Sequence, residues 1–145
     1  LNQEVGSIMA SFHSVFPVKV YDEKMPEDFV VPSMYFPPPF SFDGPDTVST
    51  FMKTFSLSVK LFHQSSHQAS DEAERIADTI RAKRHLVPLL NADGTATTEF
   101  IRINRIDTRV TGEVATIIVT WDSRYYYERE TFKPLTNITI ISGVK

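Results

Sequence analysis

Cysteine is absent from this 145-residue sequence, which removes disulfides, thiolate nucleophiles and cysteine-ligated zinc from consideration. Glycine is scarce at five residues. Gly44, Gly94 and Gly112 stand alone as turn glycines, so they form no cradle for a phosphate, and no serine lies in a G-x-S-x-G elbow. Long hydrophobic runs are missing too. Ala115 to Val119 is far too short to cross a bilayer, and the segment from Leu1 to Pro17 carries Glu4 and lacks a basic start, so it does not read as a signal peptide. A basic excess is also lacking: the formal net charge is -3, whereas binding to nucleic-acid phosphates needs a positive surface. These absences point away from membranes and from direct nucleic-acid contact, and toward a soluble protein. What remains is 41% hydrophobic and 23% charged, ordinary for a globular chain, and residues 1–145 read as a single domain with one core.

The stretch from Thr50 to Asn91 organises the rest. Phe55, Leu57, Val59 and Leu61 alternate with Thr54, Ser56, Ser58 and Lys60, the period of a strand with one buried face. At Ser65-Ser66 the period changes to that of a helix. Ala69, Ala73, Ile76, Ala77 and Ile80 then make a narrow apolar stripe, which is expected to lie on a sheet. Asp71, Glu72 and Glu74 are placed in the first turns and Arg81, Lys83 and Arg84 in the last, matching the helix dipole. An earlier helix follows from the spacing of Val5, Ile8, Met9, Phe12, Val15 and Phe16, with Asn2 as its cap and Pro17 as its stop. Val18 to Tyr21 reads as a brief strand.

Phe29 to Phe42 combines strand-forming residues with Pro32, Pro37, Pro38 and Pro39. Proline cannot donate to a ladder, so this segment reads as an edge strand running into an extended, polyproline-like arm. Asp43-Gly44-Pro45-Asp46 is expected to be a loop before the central strand, which pairs antiparallel with Phe29 to Phe36. Leu86 to Leu90 reads as an apolar plug on the open end of the core, followed by a turn at Asn91 to Gly94. From Phe100 to Val110 the apolar positions slip from Ile101 and Ile103 to Ile106, Thr108 and Val110, the mark of a bulge near Asn104-Arg105. Thr111-Gly112 turns the chain into Val114 to Asp122, where Ala115, Ile117, Val119 and Trp121 share the most buried face. Phe132 to Ile141 allows one more strand.

No residue set spells out a reaction. His63 and His67 are four apart, a spacing that suits a metal on one helix face. The pair straddles the strand-helix junction, however, and the ordinary reading is two solvated histidines near a cap. Catalytic, cofactor-binding and metal-binding residues are all read as none. The remaining signal is aromatic: Met34, Tyr35, Phe36, Phe40 and Phe42 cluster around the prolines, and Arg124, Tyr125, Tyr126, Tyr127 and Arg129 form a second group. Both sets read either as rings folded over their own sheet or as a contact surface for another subunit or partner. On the second reading, replacing Phe36 and Tyr126 by alanine weakens assembly and leaves the fold intact.

The pattern from Phe55 to Phe62 into the helix Ala73 to Arg84, the stop Val87-Pro88-Leu89, the turn Asp93-Gly94 and the run Ile117 to Asp122 resembles the tail terminator (tail completion) proteins of long-tailed bacteriophages. The resemblance implies an α+β domain, an antiparallel sheet of four to five strands carrying two helices, here with the Pro-rich arm added. It implies a homo-oligomer, a hexameric ring, with the tail tube protein and the head completion or connector protein as partners. It implies no cofactor and no reaction. The expected location is the head-proximal end of the virion tail, after assembly in the host cytoplasm. Two alternatives stand beside it: a head-completion, neck or other minor tail protein, and a small-ligand or metal-binding α+β module using His63, His67 and the acidic helix face.

Overall fold

The computed structural model describes residues 2–126, apart from the side chains of 125 and 126. In chain order these residues form α1 (Gln3–Val15), β1 (Lys19–Tyr21), β2 (Ser33–Tyr35), β3 (Phe40–Pro45), β4 (Thr50–Phe62), α2 (Ser66–Ala82), β5 (Leu86–Leu90), β6 (Ala96–Thr111) and β7 (Val114–Tyr126). The fold is α+β, with seven described strands in the order β1-β2-β4-β7-β6-β5 and β3 paired to β4 off that path. All pairs are antiparallel except β1 with β2.

Both helices start where a side chain answers the free N–H groups of a first turn. Asn2 Oδ1 accepts from the Val5 N–H at 2.6 Å, and Ser65 Oγ accepts from the Gln68 N–H at 3.2 Å. Asn2→Ala and Ser65→Ala are each expected to cost about 1 kcal/mol, measured by urea unfolding. The apolar stripe of α2 is buried at every position read from sequence. It lies mainly over β6 and β7, with β4 at its margin, and the sheet face beneath the helices is formed by core residues Phe55, Leu57, Val59 and Leu61 of β4 and Ala115, Ile117, Val119 and Trp121 of β7. Trp121 is fully buried, stacked on Phe55 at 5.3 Å between ring centroids, with its indole N–H donating to Glu4 Oε1 of α1 at 3.2 Å. No acidic residue falls in the first turn of α2. Its charges form pairs along the helix instead, Glu72 with Arg75 and Asp78 with Arg81.

Several expectations are corrected by pairing. β2 is not an edge, because β1 lies outside it in parallel. From Phe40 onward the Pro-rich segment is β3, paired with β4 from Phe40↔Ser56 to Pro45↔Phe51, so Asp43 to Pro45 belong to a strand and not to a loop. Leu86 to Leu90 is also a strand, β5, and Pro88 fits there because among the described residues β5 pairs on one side only, with β6. The bulge occurs where the phase slip put it: Ile103 faces Trp121, and the next pair is Arg105 with Thr120. The stretch Phe132 to Ile141 lies outside the described residues.

Candidate interaction surface

β4 and β7 pair along all thirteen residues of each, a ribbon about 43 Å long at about 3.3 Å per residue. The helices cover one face of the ribbon as far as Trp121 and Ser123, where Glu4 of α1 accepts from both side chains. Among the described residues β3, the first half of β4 and the end of β7 form a three-stranded arm, whose Phe40 to Phe42 lie level with Thr120 to Asp122 and whose Gly44 and Pro45 reach past Ser123. Strand alternation places Phe40 and Phe42 on the arm's other face, beside Ser56 and Thr54 of β4 and, one strand further, Thr120 and Asp122 of β7. Their rings are 5.9 Å apart and remain 67% and 54% exposed. Two exposed phenylalanines in contact are unusual on a surface that meets only water.

The arm's tip is held by a polar lock. Asp46 Oδ2 accepts from Thr50 Oγ1 at 2.7 Å and from Arg124 Nε at 2.6 Å, and Thr50 N–H donates to Thr47 Oγ1 at 3.1 Å. Val48, at the turn, is fully exposed. The Thr50 hydrogen bond first, then the Arg124 hydrogen bond and charge, hold the Asp46 carboxyl below its usual pKa against an opposing effect of desolvation. Because the folded pKa is depressed, the lock is fully formed above the unfolded value near about pH 4 and is lost as pH falls through the folded pKa. Carboxyl-carbon chemical shifts are expected to show Asp46 titrating below an ordinary aspartate, with Thr50→Val raising it more than Arg124→Ala.

The structure divides the aromatic candidates by burial. Met34 and Phe36 are core residues at 0% and 1% exposure, and Phe36 packs edge-on to Phe12 at 5.6 Å, so neither offers surface to a partner. Tyr35 is half-buried on β2. Phe40, Phe42 and Arg124 are exposed on the arm. The backbone of 125 and 126 pairs with Phe51 and Thr50, whereas the side chains there, and Tyr127 and Arg129 altogether, lie outside the described residues. Sequence treated the two aromatic groups as separate; β4 brings Phe40 and Phe42 of the first and Arg124 with the backbone of 125 and 126 of the second onto one arm. A second apolar cluster was missed: Phe29 contacts Phe62 at 4.7 Å on the same open face as Phe40, next to exposed Val30 and Val31. The signal was present as Phe62 in the outward phase of β4.

The other candidate groups do not converge. His63 stacks on Phe16 at 5.8 Å and its Nδ1 accepts from the Gln64 N–H, while His67 is exposed in the first turn of α2. Among the described residues no three His, Cys, Asp or Glu side chains are placed to hold a metal. A groove of about 560 Å³ runs between α1 and the end of β5, and its lining, which includes Gln3, Gly6, Ser7 and Leu90, contains no ionisable group.

Fold and surface together define a helix-backed sheet protein with a three-stranded end that bears exposed aromatics. The chain belongs to the family of the phage-like element PBSX protein XkdJ of Bacillus subtilis (strain 168), to which it is 50% identical over 147 residues with both chains fully covered. It is also 52% identical over 145 residues to YqbJ of the same organism, again with full coverage of both. No protein-family model matches the sequence. A chain from the virion of a native gene transfer agent particle shares the fold, with a TM-score of 0.50 and 12% identity over 85% of this chain and 94% of that one.

Proposed function

We propose that this chain is a structural protein of a phage or phage-like virion and that it acts as a tail terminator. Copies form a ring, expected to be hexameric, that sits on the last ring of the tail tube, stops its elongation and presents a docking surface to the head connector. The observation that carries this reading is the projecting arm with exposed Phe40 and Phe42, in a chain half identical to a phage-like element protein along its whole length. A surface of rigid aromatics serves contact with protein, since such rings bury large areas at little cost in side-chain entropy. Family membership and the virion-type fold support the setting, and the resemblance in strand and helix order supports the position at the head-proximal end of the tail. No reaction and no cofactor enter the proposal.

Purified protein mixed with tail-tube particles provides the test, read by light scattering and electron microscopy. Rings capping tube ends are the expected result. Failure to form rings and to bind tube ends removes the terminator role, and binding to head connectors alone moves the protein to the neck.

A further inference from the structure

Two edges of the arm are bare among the described residues. β6 follows β7 from Val114 only to Trp121, because the bulge at Asn104 precedes the point where its first half leaves to pair with β5. Asp122 to Tyr126 therefore have strand neighbours on the β4 side alone. On the opposite flank β3 is paired only to β4. Folded chains commonly blunt such edges with lysine, proline or a bulge. β3 has its proline at the tip end, at Pro45, and shows two exposed phenylalanines along its length.

Direction decides what these edges can join. β3 and β7 both run antiparallel to β4, so they are parallel to each other on either side of it. A single copy thus carries two edges of similar length and the same polarity, one on each flank. They meet whenever one copy is set beside another in the same orientation. That contact is heterologous, joining two different surfaces, and contacts of this kind close into rings when the rotation between neighbours closes and otherwise run on as filaments. A meeting of like edges would instead join copies in pairs.

We infer that the Phe42 to Pro45 stretch of the β3 edge in one copy pairs in parallel with the β7 edge from Asp122 onward in the next, with Phe40 and Ser41 turned aside because β6 already occupies the positions beside Thr120 and Trp121, so that the sheet runs continuously from copy to copy. The second copy is the fitting occupant because it brings both edges, with matching direction and with the alternation of faces preserved across the seam. Phe42 then joins the outer face of one extended sheet. The inference rests on the ring reading above and specifies how neighbours are joined. In the register of the arm, Asp43, Lys53 and Ser123 form one row. Continuing that row across the seam sets Asp43 of one copy beside Ser123 of the next.

A chain without native cysteine makes this testable by crosslinking. In one copy Asp43 and Ser123 are two strand spacings apart, about 9.6 Å, beyond the roughly 7 Å Cα separation that a disulfide can bridge. Any bond between Asp43→Cys and Ser123→Cys must therefore be intermolecular. The double variant under mild oxidation is expected to give a ladder of covalent oligomers up to the ring number, while each single variant stays monomeric on a non-reducing gel. Gly44→Cys with Arg124→Cys, in the adjacent row on the opposite face, is expected to behave alike and guards against a folding defect from loss of the Ser123 to Glu4 hydrogen bond. Rings without a ladder in either pair overturn the inference and leave the terminator reading standing. Dimers from Asp43→Cys alone overturn it in favour of like-edge contact. A monomer that neither crosslinks nor caps tube ends, with β3 amides protected from exchange, assigns the edge to the chain's own residues 127–145 and removes both.

Discussion

Phe36→Ala is expected to destabilise the fold by about 3–5 kcal/mol and to lower the melting temperature by about 10–15 °C. The ring is 1% exposed and sits edge-on to Phe12 of α1, while its backbone N–H donates to the Tyr21 carbonyl at 2.8 Å. Removing it leaves a cavity between the first helix and the sheet that neither can fill without moving, since close-packed interiors relax only partly. Total stabilities of domains this size are about 5–15 kcal/mol, so about a fifth or more is lost. Thermal and urea unfolding measure it. A variant that melts within a degree or two of the parent and only assembles poorly would return Phe36 to the contact surface assigned to it by sequence.

Phe40→Ser combined with Phe42→Ser is expected to have the opposite signature. Both rings are mostly in water, so the fold should change by no more than about 0.5 kcal/mol. Assembly should suffer instead: a buried aromatic at an interface contributes about 2 kcal/mol or more, so each seam weakens at least about 30-fold. Light scattering at a fixed protein concentration reads the loss of rings beside an unchanged melting curve. Rings that persist at the parent concentration would show that the aromatic pair lies outside the contacts between copies, and a collapsed melting curve would show that it supports the arm itself.

The contrast between these two variants separates what was legible in the chain from what was not. The alternation of Phe55 to Leu61 and of Ala115 to Trp121 was enough to place both strands and their buried faces. The stripe from Ala69 to Ile80 placed α2, Asn2 placed the first cap, the change of period at Ser65-Ser66 placed the start of α2, and the slip after Ile103 placed the bulge. Each is a local consequence of backbone geometry, because a strand repeats every two residues, a helix every 3.6, and a bulge must shift the phase by one. Phe36, Phe40 and Phe42 defeated the same method. Two residues apart and flanked by prolines, Phe40 and Phe42 look no different in sequence from the neighbouring Phe36, yet the chain leaving β2 sets Phe36 against Phe12 of α1 while β3 leaves the other two in solvent.

Sequence by itself therefore settled the two helices, the long strands and the inward face of the central strands, since these follow from interactions between residues a few positions apart, whereas β3 and β5 did not show as strands. The partner of each strand, the burial of Met34 and Phe36, and the meeting of β3 with the end of β7 across β4 were decided only in the folded molecule. Such pairings join positions as distant as Phe42 and Asp122 through Thr54. They are set by which edges and faces find one another when the whole chain is compact, and that choice leaves no local period to read.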